Sequence, residues 1–86
     1  MRHITPGRLA AIEELLGKLR AVDGLVERSP GVFYRRSRAF LHFHEDGPDV
    51  YADVRLSGAD FDRMRVSTKR EQLSLIGAVR RALQSP

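Results

Sequence analysis

Eighty-six residues, no cysteine and a formal charge of +4 bound the protein before any motif is considered. A chain this short encloses one thin core, so residues 1–86 are expected to form a single domain with no cleft between domains. The absence of cysteine excludes disulfides and thiolate metal sites. No apolar run approaches the roughly 20 residues that span a bilayer, and the opening residues contain no signal-peptide core. A cytoplasmic protein with no membrane partner is the expectation. Lysine occurs only at positions 18 and 69, so thirteen of the fifteen basic residues are arginine. The surplus lies in the last third, with six basic and three acidic groups over 57–86, whereas 31–56 holds four of each. A basic balance raises the standing of anionic partners.

In chain order, Thr5 and Pro6 read as an N-cap followed by proline at the first helical position. Leu9, Ile12, Leu15, Leu16, Leu19 and Val22 recur at helical spacing, and Glu14 and Lys18 are placed for an i,i+4 ion pair. A helix is predicted over about 6–22, stopped at Asp23-Gly24. Residues 25–31 read as a connector. Val32 to Arg35 is a predicted strand that turns into the next one tightly at Arg36-Ser37 or through a looser turn including Arg35 and Arg38. Alternation then places Val32 and Tyr34 on the core side and Phe33 beside Phe40 on the other.

The stretch 39–56 carries the clearest pattern, two alternating runs around Glu45-Asp46-Gly47-Pro48, which predicts a hairpin. With 45–48 as the loop, Phe43 pairs with Val50, Leu41 with Ala52 and Ala39 with Val54. The opposite face carries Arg38, Phe40, His42 and His44 against Arg55, Asp53, Tyr51 and Asp49. Phe61 to Val66 alternates as a further edge strand, although Ser57 and Asp60 could equally cap a short helical turn ending near Met64. Thr68 and Glu71 form a capping box that opens a helix over about 69–84, with Leu73, Ile76, Val79 and Leu83 as its buried line.

The predicted class is therefore α+β, in the order α-β-β-β-(β)-α: a two-layer sandwich with an antiparallel sheet of three or four strands and two helices on one face. In that arrangement the outer face is uncovered, and Phe33, Arg38, Phe40, His42, Tyr51 and Arg55 form the candidate binding surface. Aromatic residues grouped on an open face fit a homodimer interface or another protein partner. His42 and His44, two residues apart on a strand, also have the spacing of a metal pair, with Asp49 and Asp53 as nearby carboxylates and His3 away at the terminus.

No serine stands in a nucleophile-elbow sequence and no glycine-rich phosphate loop is present, and Glu45 and Asp46 fall on an exposed hairpin tip. The reading is of a non-enzymatic interaction module that needs no cofactor. The order of helix, three strands and helix is similar to that of the double-stranded-RNA-binding domain. That similarity implies phosphate contacts from Lys69 and Arg70 and from the turn Arg35, Arg36 and Arg38, making nucleic acid the alternative partner. Glu71 and Gln72 depart from that family's basic helix start, and the Gly-Pro-x-His loop element is missing.

Overall fold

The β4–β5 hairpin organises the protein. In the computed structural model, which describes residues 1–84, β4 (Arg38–Asp46) and β5 (Asp49–Val54) pair antiparallel from Asp46↔Asp49 to Leu41↔Val54. The loop is thus the two residues Gly47-Pro48, with Gly47 at φ +57, rather than the four-residue loop that alternation allowed. The pairing moves two places, so Phe43 faces Ala52 and Leu41 faces Val54. Because a shift of two keeps every side chain on its own face, the expected core face survives.

Around this hairpin runs one antiparallel sheet in the order β2-β3-β4-β5-β6, with β1 added beside the far end of β4. β1 is Arg2–His3, β2 Val26–Ser29, β3 Val32–Arg35 and β6 Asp62–Arg65. Three helices complete the chain: α1 (Pro6–Ala11), α2 (Glu13–Arg20) and α3 (Lys69–Gln84). The protein is α+β, as expected, but its sheet is larger than three or four strands and its element order begins β-α-α-β. It therefore departs from the helix, three strands and helix of the double-stranded-RNA-binding domain.

Each added element has a local cause. The 25–31 stretch is a strand because Pro30-Gly31 turns it back onto β3, with Gly31 at φ +75. A side chain at Gly31 would meet Leu9 Cδ1 at 2.7 Å, so the turn and α1 approach as closely as glycine allows. The single helix expected over 6–22 breaks at Ile12 (φ −108, ψ 25), whose N–H donates to Leu9 O in a tightened turn. Thr5 caps α1 as predicted, the Glu14–Lys18 pair forms at 3.7 Å, and Thr68 and Glu71 cap α3 reciprocally at 3.1 and 3.0 Å.

The two-residue turn Arg36-Ser37 is the most consequential departure from simple alternation. Both residues take positive φ, +51 and +65, the geometry of a tight hairpin turn normally filled by Asn-Gly. A β-bulge follows. Tyr34 pairs with Ala39 but Phe33 pairs with Leu41, so Phe40 is the unpaired extra residue. The bulge turns both Phe40 and Leu41 inward, at 3% and 1% exposure, and places Phe33 on the core side at 0%. Phe33 and Phe40 are thus core residues and not part of an open aromatic face, while Val32 and Tyr34 are only half-buried.

One core results. Ile12, Leu15, Leu16, Leu19 and Val22 from the first helical region and Leu75, Ile76 and Val79 from α3 pack on Phe33, Leu41, Phe43, Ala52 and Val54 of the sheet. Leu73, expected in the buried line of α3, is 57% exposed, and Leu75 takes its place inside. The helices pack on the core face of the sheet, and no described helix lies on the face carrying His42, His44, Tyr51 and Asp53.

Glu45 is a further correction. It lies on the core side at 5% exposure, not at an exposed tip. Its Oε2 accepts from the Thr5 N–H (3.0 Å) and hydroxyl (3.1 Å), and its Oε1 from Arg2 Nε (3.1 Å) and Nη2 (2.9 Å). These donors hold its carboxyl below the usual carboxylate range, the Thr5 amide foremost. This one side chain ties both the N-terminal strand and the N-cap of α1 to β4, in addition to the backbone pairing of β1.

Candidate functional site

The Arg36-Ser37 turn, the end of β5 and the last turn of α3 meet around a cleft of about 300 Å³. Its charged lining is Arg35, Arg36, Arg38 and Arg55, and its floor includes Phe40, Leu56 and Ala82. Among the described residues no acidic side chain lines it. Arg55 is fixed by donating from Nε to Ala39 O (3.0 Å), by a short contact to Ala59 O, and by stacking 4.2 Å above the Phe61 ring. Arg38 Nη1 donates to Gly58 O at 3.0 Å and Arg35 Nη1 to Ala82 O at 3.3 Å, near the electronegative end of α3. Backbone carbonyls orient these groups without cancelling their charge. Among the described residues no carboxylate lies within ion-pair distance of Arg36, Arg38 or Arg55.

The opposite holds on the neighbouring sheet face. Asp53 is 7% exposed and accepts a two-pronged contact from Arg63, Nε to Oδ1 at 2.8 Å and Nη2 to Oδ2 at 3.1 Å. The same Oδ2 lies 3.0 Å from His44 Nε2 and 3.5 Å from His42 Nε2. The Arg63 guanidinium holds the Asp53 carboxyl below its ordinary range, while burial pushes His42 down and outweighs the attraction of Asp53. His42 is therefore held toward the neutral imidazole. Asp49 does not face the histidines as ligand; it accepts from Arg65 Nη2 (2.8 Å) and the Ser67 hydroxyl (3.0 Å).

Of the residues singled out from the sequence, Arg35, Arg36, Arg38, Phe40 and Arg55 converge at the cleft. His42 and Tyr51 lie on the outer face of the sheet, and Phe33 lies in neither place. Lys69 and Arg70 begin α3, whereas Ala82 at the cleft is thirteen residues beyond Lys69, about 20 Å along the helix. The structure does not bring the two halves of the expected phosphate surface together.

Three participants escaped sequence reasoning. His3, taken as a terminal residue, pairs in register with His44 and stacks on its ring at 5.1 Å. Arg63 joins Asp53 because β6 pairs Asp53↔Arg63, which the alternation of 62–66 carried as a signal. Phe61 meets His42 edge-on at 5.0 Å. No protein-family model, curated protein or solved structure matches this chain.

Proposed function

We propose that the protein is a small, non-enzymatic binding module that takes the phosphate backbone of single-stranded RNA into the arginine cleft. The observation that carries the reading is the convergence of four arginines, three of them (Arg35, Arg38 and Arg55) oriented by backbone carbonyls, in a partly apolar cleft that no described acidic side chain lines. Such a combination serves phosphate through the guanidinium fork and leaves room for a sugar or base against the half-buried Leu56 and Ala82. Arg36 adds weight, since it occupies a left-handed conformation that costs a branched chain more than glycine.

The test is fluorescence anisotropy with a labelled single-stranded RNA across a salt series. Four phosphate contacts give a slope of log K against log salt of about −2.8, and each arginine removed reduces it by about 0.7. Arg36→Ala with Arg38→Ala should cut the slope by about half. Lys69→Ala with Arg70→Ala should leave it nearly unchanged. Binding that ignores the cleft substitutions refutes the proposal, as does stronger binding to an RNA duplex or to an acidic peptide.

Self-association is a second reading, favoured by the helix-free sheet face on which Phe61 remains 36% exposed. Light scattering would then report about twice 9.7 kDa, and Phe61→Asp would return a folded monomer. A monomer at every concentration removes this reading. Phe40, now a core residue, is unsuitable as the probe.

A further inference from the structure

The outer face holds a second cluster whose chemistry differs from that of the cleft. The ring of Phe61 stands between them, with Arg55 stacked on it and His42 against its edge. His42 and His44 project from the same side of β4, two residues apart, and Asp53 on β5 is the direct partner of His42. One donor atom from each of the three lies within 4.8 Å of the others. Two imidazole nitrogens and a carboxylate oxygen are a ligand set for borderline dications such as zinc, cobalt, nickel and iron(II).

The spacing agrees with that set. Zinc bonds of about 2.0–2.2 Å imply donor separations of about 3.3–3.5 Å around a tetrahedron. Asp53 Oδ2 is 3.5 Å from His42 Nε2 and 3.0 Å from His44 Nε2, so two of the three edges are near that value already. The donors are also held in place. The histidine side chains are 27% and 16% exposed and that of Asp53 is 10%, so little side-chain freedom remains to be lost when an ion enters. Arg63 Nε grips Oδ1 from the other side, the outer-shell support that ligating carboxylates commonly have. Its Nη2 shares Oδ2, and the side chain is 51% exposed on the edge strand, free to swing as the ion arrives.

We propose that His42, His44 and Asp53 form a binding site for a single transition-metal dication, with zinc as the reference ion. The site is independent of the RNA reading, because none of its ligands lines the cleft. Calorimetric titration of the untagged full chain with zinc chloride, in a non-chelating buffer near neutral pH, should give one ion per chain. Excess magnesium should not compete, since imidazole donors suit softer ions. Replacing supporting residues at metal sites costs 10–100-fold in affinity, so His44→Ala and Asp53→Asn should each lose at least about tenfold.

Cobalt(II) supplies a second measurement, in which the folded wild type should develop the visible absorption of a low-coordinate nitrogen-ligated ion. Should Asp53→Asn disturb the edge strand, circular dichroism identifies it, and the His42→Gln with His44→Gln variant then carries the test. Absence of saturable zinc binding by the wild type overturns the proposal. So does undiminished binding by the folded double-histidine variant, which would place the ion elsewhere on the surface. Arg36→Ala with Arg38→Ala should bind zinc normally, so failure at one site is distinguishable from failure at the other.

Discussion

Replacing Arg36-Ser37 with Asn-Gly should make the protein more stable and a poorer binder of RNA. Both residues sit at left-handed φ, +51 and +65. That conformation costs an L-residue with a side chain about 1–2 kcal/mol, less for asparagine and nothing for glycine. Relief at the two positions therefore amounts to about 2 kcal/mol. Glycine returns about 0.5–1 kcal/mol of this by enlarging the freedom of the unfolded chain. The net gain is about 1 kcal/mol, or about 4–8 °C in Tm for a domain of this size. Urea and thermal unfolding measure it directly.

The same variant loses one guanidinium at the cleft, so the salt slope for single-stranded RNA should fall by about 0.7. The single substitutions separate the two effects. Ser37→Gly should raise Tm without touching RNA affinity, and Arg36→Asn should lower affinity with a small gain in Tm. If Ser37→Gly is no more stable than the wild type, the turn is not strained and the argument from Arg36 falls. If the double variant is stabilised and binds RNA unchanged, Arg36 is not part of the site.

Two further substitutions address the core and its anchor. Phe33→Ala should cost about 3–5 kcal/mol by urea unfolding, as for a fully buried aromatic residue, whereas a surface aromatic would cost within about 0.5 kcal/mol; a small cost would return Phe33 to the outer face. The depressed carboxyl of Glu45 adds stability that is present above its ordinary, unfolded pKa and is lost as pH falls through its lower folded value. Glu45→Gln should therefore be less stable than the wild type at neutral pH and closer to it near pH 3 in urea midpoints; parallel pH profiles would show that Arg2 and Thr5 do not hold the carboxylate.

Much of the fold could be read from local signals. The Thr68–Glu71 box placed the start of α3 and the alternation of 39–56 placed the central hairpin, because capping and two-residue periodicity depend on near neighbours alone. What alternation could not reveal is a change of phase. The bulge at Phe40 inserts one residue on β4, and every inference about facing made from β3 across it inverted. Phe33 consequently moved from the candidate surface to the core, as did Phe40, leaving Tyr51 and His42 of the expected aromatic group on the outer face. The break at Ile12 was hidden for a related reason, since the leucines on either side still lie on one continuous stripe.

The candidate sites were obscured by a different property, that charge is compensated in space rather than along the chain. Residues 31–56 contain four basic and four acidic groups, and on that count they carry no surplus. Yet Glu45 is taken by Arg2, Asp49 by Arg65 and Asp53 by Arg63, all of them from β1 or β6. Pairing β1 with β4 and β6 with β5 thereby neutralises three of the four acids of those central strands, Glu45, Asp49 and Asp53. Among the described residues it leaves Arg36, Arg38 and Arg55 without a carboxylate within ion-pair distance. The same pairings flank the histidine cluster of β4 and β5, since β1 brings His3 onto His44 and β6 brings Arg63 to hold Asp53. Two edge strands, of two and four residues, thus determine the electrostatic character of both candidate sites. Residues 2–3 and 62–65 therefore matter as much to the binding surfaces as the side chains that form them.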